Sequence, residues 1–138
     1  MNENRQPEAN IFQFERQGET IIVVPLAGLS ELAYQEITAG AKDILELLDH
    51  GPARNVVLDF SRTAYYGSTA LGFFVKLWKR VSKRNGRMAF CNVSDHEKET
   101  LQIMKLDDLW PICSSRREAL AAVEKPWQRS ESECPTAP

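Results

Sequence analysis

No apolar run in this chain approaches the roughly 18 residues that a membrane span requires. Its opening, "MNENRQPEAN", lacks the basic-then-apolar order of a signal peptide, so the protein is expected to stay in the cytoplasm. Cysteine is scarce: Cys91, Cys113 and Cys134 are an odd number without C-x-x-C spacing. Cys91 and Cys113 sit in apolar surroundings, where free thiols pack as small core residues, and no disulfide framework is expected. Histidine is scarcer still. His50 and His96 lie forty-six positions apart on polar stretches, which makes a poor zinc site and offers no base for nucleophilic chemistry. The nucleophile elbow G-x-S-x-G is missing as well. Asp107-Asp108 resembles a carboxylate pair, but adjacent residues project differently and such a loop pair is ordinarily solvated. No catalytic constellation, metal or cofactor is therefore expected, and the protein is read as non-enzymatic.

A net charge of −2 over 138 residues hides an uneven distribution. Residues 1–53 hold nine acids and three bases, whereas Lys76, Lys79, Arg80, Lys83, Arg84 and Arg87 form an acid-free cluster. On a helix, positions 76, 79, 80, 83 and 84 share one cationic face. Nucleic-acid binding is disfavoured by the overall negative charge and the lack of an aromatic platform. Basic residues near a helix C-terminus also complement its dipole, and an acidic protein partner suits the face better.

What the chain does have is an ordered succession of strand and helix patterns. "NIFQFERQGETIIVVPLAG" reads as a hairpin, with Ile11, Phe12 and Phe14 before a turn at Gln17-Gly18 and Ile21 to Val24 after it. Leu32, Ile37, Ala41, Ile44, Leu45 and Leu48 recur at roughly helical spacing, and Gly51-Pro52 ends that helix. "NVVLDF" is a continuous apolar strand of the kind buried on both faces. Leu71, Phe74, Leu77, Trp78 and Val81 line one helical stripe that Asn85-Gly86 stops. "RMAFCNV" is a further strand, Ser94 a cap for a helix from Asp95 to Met104, and "LWPIC" a last strand. Ser114 or Ser115 caps the final helix, "RREALAAVEK". The order β-β-α-β-α-β-α-β-α predicts an α/β fold, a mixed, mainly parallel sheet with an N-terminal β-hairpin and about four helices. Residues 1–10 and the Pro-rich 125–138 are expected to be flexible flanks of one domain over 11–124.

Between "NVVLDF" and the apolar helix lies "YYGSTALGFF", residues 65–74. Gly67 to Gly72 satisfies G-x-x-x-x-G, yet Phe73 and Phe74 stand where a phosphate-binding loop needs Lys and Ser or Thr. Either hydroxyl can cap a helix, with Gly67 easing a tight entry and Ala70 keeping the first turn slim. Capping accounts for one hydroxyl and leaves two in succession unexplained.

The run "NVVLDFSRTAYYGSTALGFFVKLWKRVSKRNGRMAFCNVS", followed by "ETLQIMKLDDLWPICSSRREAL", resembles the anti-sigma factor antagonist, or STAS, family over residues 11–124. In that family an apolar strand leads through a loop of the form D-S-S-G-L into an apolar helix with a basic end. Gly67 and Ala70 replace its aspartate and glycine. The resemblance implies a partner-switching protein. The unmodified antagonist binds an anti-sigma factor that is also a serine/threonine kinase, and phosphorylation of a loop hydroxyl releases it. By position Thr69 is the implied acceptor and Ser68 the second choice, with Tyr66, Gly67, Ser68, Thr69, Ala70, Lys76 and Lys79 forming the partner surface. A monomer or weak dimer is expected, without nucleic acid or membrane insertion. Rival readings are an accessory subunit of an ABC lipid transporter, a constitutive docking module that is never phosphorylated, and a nucleotide- or anion-binding protein.

Overall fold

A computed structural model describes residues 12–26, 34–62 and 68–124. The expected flanks 1–10 and 125–138, together with Ile11, lie outside the described residues.

Strand β1 (Phe12–Gln17) pairs antiparallel with β2 (Thr20–Pro25), Phe12 opposite Pro25 and Gln17 opposite Thr20. Gly18 turns the hairpin at φ +63°, a conformation that costs glycine little and other residues more. β3 (Asn55–Asp59), β4 (Met88–Cys91) and β5 (Ile112–Cys113) join in parallel, giving the order β1-β2-β3-β4-β5. Helices α1 (Tyr34–His50), α2 (Ser68–Lys83), α3 (Asp95–Ile103) and α4 (Arg116–Glu124) fill the connections and the end of the order. The observed succession is the expected one.

Because side chains alternate along a strand, each continuous apolar run feeds two layers. Ile21, Val23, Val56, Leu58, Met88 and Phe90 face a core shared with α1 and α2, while Ile22, Val24, Val57, Ala89 and Cys91 face α4. Phe60 stacks on Phe90 at 5.7 Å, Phe90 on Trp110 at 5.1 Å, and Phe74 of α2 sets its edge against Phe60 and Phe90. These contacts fix α2 over β3 and β4. Among the described residues no helix is long and apolar enough to cross a membrane.

Several local expectations need correction. The final strand is two residues long instead of "LWPIC": Pro111 lacks the N–H a ladder needs, and Trp110 leaves the strand line to fill the core, fully buried. At the end of α2 the left-handed residue is Asn85, at φ 59°. Gly86 serves a different need, since a Cβ there would fall on the Arg54 carbonyl oxygen. The cationic face is also divided. Arg80 pairs with Asp49 of α1 at 2.6 Å. Arg84 donates to the Leu48 and Gly51 carbonyls, satisfying the open C-terminal end of α1. Cys91 is a free, buried thiol as expected, but Cys113 is disulfide-bonded. Spacing along a sequence carries no information on which thiols meet in space.

Candidate functional site

β3 delivers the chain to the C-terminal edge of the parallel strands, where an open α/β sheet presents its loops. Asp59, the last residue of β3, is 3% exposed. Its Oδ1 accepts from the Ser61 amide at 3.0 Å and from Asn92 Nδ2 at 2.9 Å, and its Oδ2 accepts from Arg116 Nε at 3.0 Å. Burial pushes this carboxyl upward, but the hydrogen bonds from Asn92, Ser61 and Arg116 together outweigh it and hold the group below its ordinary range. Arg116 also reaches Glu15 of β1 at 3.0 Å. One buried carboxylate thus ties the exit of β3 to the exit of β4, to the first residue of α4 and, through Arg116, to the edge strand. Sequence reading passed over Asp59 as part of an apolar strand. An acid amid "NVVLDF" was the available signal, since a buried carboxylate requires partners.

The expected partner residues Tyr66 and Gly67 lie outside the described residues. α2 begins at Ser68, so Ser68 and Thr69 lie in the first helical turn, not at the position before it from which a cap acts. Thr69 is half-buried. Ala70 turns inward and is fully buried; it keeps the first turn slim against the core and has no surface to give a partner in this conformation. Lys76 and Lys79 are exposed, about two and three turns beyond Thr69.

Thr69 stands on the wall of a groove of about 560 Å³ between α1 and α2. Ile37, Ala41, Leu45 and Phe73 supply its apolar lining, and Lys42, Glu46 and Lys76 its rim. The Asp49–Arg80 pair stands on the same walls. Gly72 also lines it, and a Cβ added there would meet nothing within 4 Å. Contrast Gly40 on α1, where a Cβ would collide with the Phe12 ring. A mid-helix glycine costs about 1 kcal/mol relative to alanine. Packing among the described residues requires that at Gly40 and not at Gly72.

His50 and His96 are both exposed, and among the described residues no group of three or more His, Cys, Asp or Glu is placed to hold a metal. The Cys91 thiol is pushed up to about 12 by burial, with the Asp59 charge adding to the effect. A thiol so held does not act as a nucleophile near neutral pH.

Known proteins share this fold. A Bordetella bronchiseptica protein named as the anti-sigma factor antagonist BtrV is 30% identical over 69 residues, which are 50% of this chain and 60% of that protein, so the match spans less than two thirds of the relative's length. The crystal structure of TM1081 from Thermotoga maritima, described as an anti-sigma factor antagonist, superposes with a TM-score of 0.73 at 21% identity, covering 85% of this chain and 97% of that one. The Bacillus cell fate determinant SpoIIAA in its phosphorylated form gives 0.64 at 21% identity, over 80% and 96%. At these identities the two structures speak for the fold. The STAS domain profile matches residues 13–119, from β1 through the Asp59 network and the α1–α2 groove into α4, and by that match the chain belongs to the STAS domain family.

Proposed function

We propose that this protein is an anti-sigma factor antagonist. It binds a kinase-type anti-sigma factor through the entrance of α2, and phosphorylation of Thr69 releases it. The observation that carries this reading is the place of Thr69: second residue of α2, half-buried, on the wall of an open groove, in a first turn that holds no acid. A phosphate adds about −1.5 to −2 charges. At a helix N-terminus the unpaired N–H groups and the dipole favour such an anion by about 0.3–1 kcal/mol, so the free domain tolerates it. Within a docked interface the same group must shed water or face like charge, at a cost of a few kcal/mol that removes micromolar binding. The name of BtrV and the phosphorylated form in which the SpoIIAA structure was solved, each a property of those proteins, support the same reading.

Binding of purified anti-sigma factor to wild type, Thr69→Ala and Thr69→Glu tests it. Thr69→Ala retains binding and blocks phosphate transfer from ATP. Thr69→Glu stays folded and loses the partner. Equal binding by both variants, or phosphate transfer that persists in Thr69→Ala, rejects phospho-control at this position. Co-purification with a transporter ATPase subunit would instead favour the accessory-subunit reading.

A further inference from the structure

The α1–α2 groove has an apolar floor, an uneven charge and a glycine that folding does not use. Its floor of Ile37, Ala41, Leu45 and Phe73 can take an apolar side chain from outside. Charge along its walls is not balanced. Asp49 and Arg80 neutralise each other at 2.6 Å, which leaves Lys42, Lys76 and Glu46 on the rim. The N-terminal turn of α2, carrying no acid, adds partial positive charge at the Thr69 end. The walls therefore carry a small net positive charge, and at Thr69 itself the positive end of α2 adds to it. Gly72 lies on the same wall as Thr69 and Lys76, and its missing Cβ leaves the α2 backbone bare beside the apolar floor. A glycine with ordinary helical backbone, whose Cβ would touch nothing, removes bulk from a surface without serving the fold. Such a surface admits an incoming side chain or backbone at direct contact with the helix.

We infer that the α1–α2 groove is the seat of an acidic amphipathic segment of the anti-sigma factor, which inserts one apolar side chain beside Gly72 and sets its carboxylates toward Lys42, Lys76 and the α2 N-terminus. The inference rests on the reading of the protein as an anti-sigma factor antagonist and adds the site of contact, the chemistry of the occupant and the reason a phosphate ejects it. A phosphate on Thr69 takes up the positive helix end that the occupant's carboxylates use, and repels them from the mouth of the groove. Partner and phosphate then compete for one potential. Gly72 acts as a specificity-determining residue, and the fold holds it open at a cost to its own helix.

The test combines affinity and melting measurements on the full chain with each purified kinase-type anti-sigma factor of the source organism. Gly72→Ala melts higher than wild type and binds about tenfold more weakly. Gly72→Leu binds at least a hundredfold more weakly. Lys76→Glu binds about tenfold more weakly, and the wild-type advantage shrinks as salt rises. Opposite signs for stability and affinity in Gly72→Ala separate a kept-open seat from simple damage to α2, and that variant with Lys76→Glu decides the matter should Gly72→Leu fail to fold. Gly72→Ala and Lys76→Glu binding within twofold of wild type, while Thr69→Glu loses the partner, overturns the groove and leaves the antagonist reading intact. Absence of binding by wild type to every anti-sigma factor overturns both. A wild-type dimer in sedimentation that Gly72→Leu converts to monomer, with anti-sigma binding unchanged, assigns the groove to a second copy of the chain and overturns the proposal.

Discussion

Glu97 is fully buried at the third position of α3, where its Oε1 accepts from the Ser94 amide at 2.8 Å while Ser94 Oγ accepts from the Glu97 amide at 3.1 Å. Burial raises its carboxyl from an ordinary 4.5 to about 7, and the backbone and side-chain bonds to Ser94 offset only part of that rise. An acid whose folded pKa exceeds its unfolded value keeps a proton in the native state that the unfolded chain has released. Its contribution to stability is therefore complete below about 4.5 and is lost as pH rises through about 7. At 1.36 kcal/mol per unit this displacement amounts to about 3 kcal/mol, or on the order of 10 °C in Tm for a domain of this size. Glu97→Gln keeps the acceptor of the capping box and removes the titration. Thermal melts of both proteins from pH 4.5 to 8 should converge at the acid end, separate between about 4.5 and 7 and stay a constant distance apart above that, with the variant the more stable. Parallel curves across that window would refute the reasoning, because they would mean that Glu97 takes up no proton on folding.

Asp59 works in the opposite sense. Its folded pKa lies below the ordinary 3.8, so its contribution is present above that value and is lost as pH falls through the lowered one. Asp59→Ala leaves Arg116 and Asn92 without their shared acceptor and should cost about 3 kcal/mol in urea unfolding at pH 7, a penalty that disappears in strong acid; a loss that persists there contradicts an electrostatic origin. Trp110→Ala empties the end of the Phe60–Phe90–Trp110 stack, and about 3–5 kcal/mol of stability should go with it; a cost below 1 kcal/mol would place Trp110 outside the core.

Much of this architecture can be read in the chain because local pattern and global packing agree. "NVVLDF" has no polar alternation since both its faces are covered, by Val56 and Leu58 on one side and Val57 on the other. Ser94-x-x-Glu97 carries the capping box openly, and spacing alone suffices to find it. What pattern could not supply are contacts between distant positions. Asp59 meets Arg116 across fifty-seven positions and Asn92 across thirty-three, and neither pairing leaves a periodic trace. Arg80 and Arg84 count as one charged face in a helical projection, yet both reach across to α1, because the angle at which two helices meet is a tertiary property. The candidate site divides along the same line. Thr69 is singled out by the resemblance of its loop to that of the family, since helix position alone does not choose between it and Ser68, whereas the groove beside it exists only once α1 has docked.

Arg80 and Arg84 bind the far ends of α1 and α2 to each other through Asp49, Leu48 and Gly51. Two helices riveted at one end and seated on a common sheet should move as a single plank, and the channel between them is expected to keep its width when something enters it. A guest meeting such a channel does its own adjusting. The observed association rate should then climb linearly with guest concentration, with no plateau from a slow rearrangement of the host.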